Sequence, residues 1–318
     1  ISKLVGYEII DQNEFYSPTL EKPLNEKLSN KDKSIILPLG EVKLTKKINN
    51  LSIIFRTNSN VDIWDQNKKR VFEEPKIEYV LRCLFSLTKS INRLKKENSL
   101  IDINLVIIDD NSTSENLSKI KNVLDKNYSK YIIINHKKEE HKNKISERTN
   151  DQTFSNLSSL LKCFEIAKKE NTDLIYFVED DYLHFENSLT DMINTYERVG
   201  SQTKKDIIIC PCDYPFNYMT NEKTNILIGS NQHWRSVKKI LCTFMISKNM
   251  FEKYWDNLKK TCEKRHDPFE KYLNEILLNE LGISPVNTLS VHLTNVNSSY
   301  GLSPFVDIKK LWEENKIV

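Results

Sequence analysis

A chain of 318 residues, 39% hydrophobic and 29% charged, is long enough for one large α/β domain or two smaller ones and too apolar to be disordered. Its net charge of +3, from 47 basic and 44 acidic residues, is too balanced to mark a nucleic-acid binder. No run approaches the roughly 18 apolar residues of a membrane span, and no signal-peptide pattern stands at the Ile1 start.

Residues 1–50 are polar and without a sustained period, and they read as an extended arm or linker. From Leu51 the pattern changes. "LSIIF" predicts a strand, and "IEYVLRCLFSLTKSINRL" predicts a helix, with Ile77, Val80, Leu81, Leu84 and Leu87 on one stripe. "INLVIID" then predicts a strand, "SENLSKIKNVLD" a helix, "YIIIN" a strand, "FSNLSSLLKCFEIAKK" a helix and "DLIYFV" a fourth strand. Continuously apolar strands alternating with helices imply a parallel sheet covered on both faces. Beyond a helix near 186–198 the spacing is mixed. "DIIICP", "NILIG", "ILCTFMIS" and "LSVHL" predict strands, while "KNMFEKYWDNLKK", "PFEKYLNEILLNELG" and the closing "PFVDIKKLWEENKIV" predict helices. That half suggests an antiparallel addition to the sheet.

The six cysteines sit in apolar segments without a paired CxxC spacing, which predicts core thiols in a reduced, cytoplasmic chain. Cys210-Pro211-Cys212 has no second pair and is a weak zinc signal.

Polar residues end the predicted strands: "RTNSN" after the first, "DDNST" after the second and "EDD" after the fourth. In such sheets ligands bind beyond the carboxyl ends of the strands, so the three clusters predict one shared cleft. Three adjacent carboxylates, Glu179, Asp180 and Asp181, repel one another there and demand something positive nearby. The chain has six glycines, none in a dinucleotide fingerprint or a P-loop. Phosphates handled without a glycine cradle commonly meet a divalent metal on carboxylates.

"IDDNSTSE" followed some seventy residues later by "VEDDYLHF" resembles the GT-A fold nucleotide-sugar glycosyltransferases, especially the inverting family-2-like group. The resemblance covers about residues 51–200. It implies a Rossmann-like mixed sheet flanked by helices in a single main domain with an N-terminal arm, 51–200 forming the donor half and 201–318 the acceptor half. It also implies a UDP- or GDP-sugar donor, Mn²⁺ or Mg²⁺, and a glycan or glycolipid acceptor. By position, Arg56, Thr57 and Asn58 would lie near the base or ribose, although the family's usual pattern there differs. Asp109 and Asp110 would meet the nucleoside, with Arg148, Asn156 and Asp180 completing the donor set. Glu179 and Asp181 match the metal motif, and His292 in "LSVHLTN" matches a late histidine ligand.

Asp267 in "RHDPFEKYLNE" would be the base that takes the acceptor proton. The same residues also read as a capping box, with Asp267 as N-cap and Glu270 at N3, and Asp109 and Asp110 also read as helix caps. On the acceptor side the composition selects Asp213, Tyr214, His233, Trp234 and Arg235; Trp234 reads equally as core. The arm is a candidate contact for another domain, a partner subunit or a membrane-bound acceptor at the inner face of a membrane. Two other activities fit the same fold: a sugar-phosphate nucleotidylyltransferase, whose basic glycine-rich first loop "FRTNSNVD" lacks, and a glycan-binding module with a degenerate site.

Overall fold

The computed structural model describes residues 33–36, 40–60, 70–146, 151–294 and 296–317. Most of the expected arm, and Arg148, lie outside the described residues.

Within 1–50 the described part forms an antiparallel pair, β1 (Lys33–Ile36) and β2 (Gly40–Lys43). The βαβ succession follows as β3 (Asn50–Thr57), α1 (Lys76–Glu97), β4 (Asp102–Asp109), α2 (Ser114–Asn127), β5 (Tyr131–Asn135), α3 (Asp151–Lys169) and β6 (Leu174–Glu179). Leu51, Ile53, Ile54 and Phe55 of β3 are all essentially inaccessible, so the strand is covered on both faces and its apolar run needs no alternation. On α1 the predicted stripe turns inward: Val80, Leu81, Leu84 and Leu87 are buried, and Ile77 packs at the edge of the core.

The remaining elements are β7 (Tyr182–His184), α4 (Ser188–Thr203), β8 (Ile207–Ile209), the short α5 (Phe216–Met219), β9 (Ile226–Ile228), β10 (His233–Val237) and β11 (Phe244–Ser247). Then come α6 (Lys248–Lys253), α7 (Trp255–Thr261), α8 (Lys271–Ile276), β12 (Leu281–Pro285), β13 (Ser290–His292) and α9 (Ile308–Glu314). Nine strands form one mixed sheet in the order β5-β4-β3-β6-β11-β8-β12-β10-β9. β3, β4, β5 and β6 are mutually parallel, β11 runs antiparallel between β6 and β8, and β12 is parallel to β8. β10 runs antiparallel to both β12 and β9, so seven of the nine strands point to one edge. The chain runs outward from β3 through β4 to β5, then returns to place β6 on the other side of β3, and a crevice opens where that order reverses.

Three strands differ from the sequence reading. β12 takes the last two residues of an expected helix, Leu281 and Gly282, and continues past it, because β8 and β10 flank the run and extend it. β10 contains "HWRSV", to which the sequence reading assigns no element. β7 follows the carboxylates directly and pairs with β13 in a separate two-stranded sheet, with His292 opposite Tyr182. All six cysteines are free and buried, Cys210 and Cys212 among them. Among the described residues, no helix is long and apolar enough to cross a membrane.

Candidate active site

The carboxyl ends of β3 and β6 open into a cleft of about 870 Å³. Adjacent pairing puts Arg56 directly opposite Glu179, and the Arg56 guanidinium donates to the Glu179 carboxylate. The same guanidinium donates to the Asn156 side chain and, at 3.0 Å, to the Asn156 carbonyl, so β3 is tied to the first turns of α3. Burial opposes the charge on Arg56 most strongly, but Glu179, two buried cysteines and Asp180 together raise the pKa.

Asp180 is bound on both oxygens. Oδ2 accepts from Thr57 Oγ1 and from the Asn58 backbone N–H, each at 3.0 Å, and Oδ1 accepts from Lys76 Nζ at 2.5 Å. Burial would lower the Lys76 pKa; Asp180 and Asp181 hold it above its ordinary value. Asp181 Oδ2 faces His292 Nε2 at 3.3 Å, while its Oδ1 is buried without a hydrogen-bond partner. Burial works against the Asp181 charge, yet His292 and Lys76 bring its carboxyl well below the usual range. Each carboxylate of the triplet thus faces its own basic side chain: Arg56, Lys76 and His292, whose imidazole is a cation only when protonated. The charge demanded at the end of β6 is supplied by side chains.

Lys76 escaped the sequence reading, although a signal was there. A cation in the first turn of a helix opposes the helix dipole, so such a lysine needs a partner elsewhere. In the sequence Glu270 fits a helix cap. The helix begins one residue later, at Lys271, no side chain caps it, and Glu270 lines the cleft. Burial, with Glu179 adding, raises its carboxyl to about 7. Asp267 also lines the cleft and is exposed.

Asp110 reaches the cleft and accepts from Ser155 Oγ at 2.6 Å; burial raises its pKa. Asp109 is buried behind it, accepting from the Ser112 N–H at 3.1 Å, and the cap of α2 is Thr113. Neither aspartate caps the helix. None of the five residues expected on the acceptor side lines the cleft. Trp234 is fully buried, so its ring offers no face to a ligand. A Cβ on Gly229 would lie 2.3 Å from the Trp234 indole nitrogen, and the glycine is there to let that ring in. Tyr214 is buried with its hydroxyl 2.7 Å from that of Tyr182. Asp213 is buried and accepts from Tyr218, which in turn accepts from Arg235 at 2.6 Å. His233 is exposed on β10.

Whether these residues suit a divalent cation is decided by Asp181 and His292. A buried carboxylate oxygen without a partner is a ready hard ligand. His292 Nδ1 donates to the Tyr300 carbonyl at 2.7 Å, which orients the ring and leaves Nε2 facing Asp181, the arrangement that metal-ligating histidines adopt. The pair fits. Glu179, committed to Arg56, stands beside it, and no group of three or more such ligands occurs among the described residues.

No protein-family model matches the chain, and no curated protein matches it. Among solved structures it is similar to TarS of S. aureus, residues 1–349, at 11% identity over 76% of this chain and 59% of that one, with a TM-score of 0.42. This chain therefore spans less than two thirds of that structure. It is similar to the galactosyltransferase LgtC in complex with donor and acceptor sugar analogues, at 11% identity over 72% and 69% of the two chains and a TM-score of 0.33. A UTP-bound UGPase from Acinetobacter baumannii is also similar, at 7% identity over 85% and 92%, with a TM-score of 0.39. At such values the functional reading rests on the cleft's own residues.

Proposed function

We propose that the cleft is the donor site of a glycosyltransferase that moves a sugar from a nucleoside diphosphate to a hydroxyl of a glycan or glycolipid, with inversion. The observation that carries this reading is the unpartnered, buried Asp181 oxygen beside His292 at the strand-order reversal. Asp181 and His292 would hold Mn²⁺ or Mg²⁺, whose contribution when bound is to neutralise the donor's diphosphate. Asn58 and Asp110 line the cleft and would meet the nucleoside, while Arg56 and Lys76 hold the carboxylates in place.

The chemical step needs a carboxylate to take the proton of the acceptor hydroxyl as its oxygen bonds to the anomeric carbon and the bond to the diphosphate oxygen breaks, with that electron pair leaving on the diphosphate. Glu270, near neutrality and facing the cleft, suits that role better than the exposed Asp267, whose carboxylate water already solvates.

A thermal-shift panel of nucleoside diphosphates and nucleotide sugars, with and without Mn²⁺, tests the reading. A midpoint that rises only with nucleotide and metal together, and no longer does so in Asp181→Ala, is the expected result; ligand at about 100 times its Kd adds about 2.7 kcal/mol. No rise with any nucleotide would remove the donor site. Pyrophosphate release from a nucleoside triphosphate and a sugar phosphate would replace it with nucleotidyl transfer.

A further inference from the structure

The C-terminal helix α9 reaches the cleft through a ladder of rings. Trp312 is buried and stacks on Phe72 with centroids 4.4 Å apart and planes at 14°, and its centroid lies 4.8 Å from that of Tyr79. Behind it the Arg82 guanidinium covers the indole at 4.2 Å and donates to the Trp312 carbonyl at 2.6 Å, so the ring is gripped on both sides. The Tyr79 hydroxyl accepts from the Phe72 N–H at 2.7 Å and donates to the Phe72 carbonyl at 2.9 Å, which fastens the backbone after Arg70 to α1. Tyr79 lines the cleft, and so does Arg70, whose guanidinium carbon lies 5.7 Å from the Tyr79 ring centre.

We propose that Trp312, through Phe72 and Tyr79, positions Arg70 to bind the diphosphate of the ligand in the cleft. This rests on the nucleotide-sugar reading. Trp312 and Tyr79 belong to the same small core as Leu183, Val291 and Leu311, and Phe72 packs against it. The Phe72 stack and the doubly bonded Tyr79 hydroxyl do something further: they fix the place of a cation two residues away. A planar guanidinium is suited to phosphate oxygens, and its affinity depends on being held in place beforehand. Arg70 is the binding residue and Trp312 a positioning residue.

Titration calorimetry on the full chain would compare UDP and GDP, the corresponding nucleosides and inorganic pyrophosphate, all with Mn²⁺. Arg70→Gln and Trp312→Ala should each weaken diphosphate binding about tenfold and leave nucleoside binding unchanged, and the double variant should be no weaker than the weaker single, because both act through one contact. Trp312→Phe, which keeps a stacking ring, should restore affinity. Should Trp312→Ala fail to fold, Phe72→Leu breaks the ladder one rung closer to Arg70. Effects of the two variants that multiply, or nucleoside binding that falls in step with diphosphate binding, would overturn the inference. If the wild type binds neither nucleotide, the donor reading fails. Pyrophosphate then decides: binding weakened by both variants retains the Arg70 site, and binding that is unchanged or absent removes it.

Discussion

Glu270 lines the same cleft as Asp181 and His292, and burial above all lifts its carboxyl to about 7. As a base it works only when deprotonated, so kcat/KM should rise with pH through about 7 and lose that limb in Glu270→Gln. Glu270→Gln should lower kcat by ~10²–10⁴ while nucleotide affinity stays within about twofold. Asp267→Asn should stay near wild-type turnover; the reverse pattern in steady-state kinetics would give the role to Asp267. The residues that end the strands were readable, since polar clusters after apolar runs need no tertiary information. Lys76 and Glu270 were not, because a charge at a helix start has two local explanations, and only the facing strand decides between capping and the cleft.

At the scale of elements, α3 carries Asn156 and Ser155 to Arg56 and Asp110, and a histidine pair one turn along, at Ser158, fixes it. His136 Nε2 and His141 Nδ1 each lie 2.9 Å from Ser158 Oγ, and Ser158 donates its own proton to the Lys138 carbonyl. Both imidazoles must therefore donate to Ser158, leaving His136 Nδ1 a buried, unpartnered acceptor whose protonation would strand an N–H. Burial first, then His141 and Lys162 against Glu139 and Glu140, lowers the His136 pKa from 6.5 to about 4. Between those values the unfolded chain binds the proton and the folded one does not, so this stability is complete above pH 6.5 and is lost as the pH falls to 4. The loss is up to about 3 kcal/mol. His184, buried beside Tyr176, is lowered to about 4 as well and acts in the same window. His136→Gln should shallow the acid slope of urea-unfolding free energy without abolishing it; an unchanged slope would refute the account. "YIIIN" and the α3 period were legible as elements, whereas the Ser158 brace was not, because serine in a helix looks the same whichever face it serves.

Across the whole molecule, one core runs from Ile48 to Leu289 through both halves of the sheet. The joint is β11 on β6, where Phe244 opposes Phe177 with ring centroids 5.2 Å apart. Phe244→Ala should cost about 3–5 kcal/mol. It should move tryptophan fluorescence and far-ultraviolet circular dichroism to a lower denaturant midpoint together. Midpoints that separate would mean that the halves unfold independently.

The sequence by itself determined the apolar strands, the amphipathic helices, their alternation from Leu51 to Glu179 and the polar clusters that end them, because backbone preference and hydrophobic period act between near neighbours along the chain. Only the tertiary structure decided that β7 pairs with β13 and so brings His292 to Asp181, more than a hundred residues away, that β10 and β12 are strands, that Trp234 is core, and which basic side chain faces which carboxylate. Those outcomes depend on strand order and on burial of charge, and both are set by partners distant in the sequence.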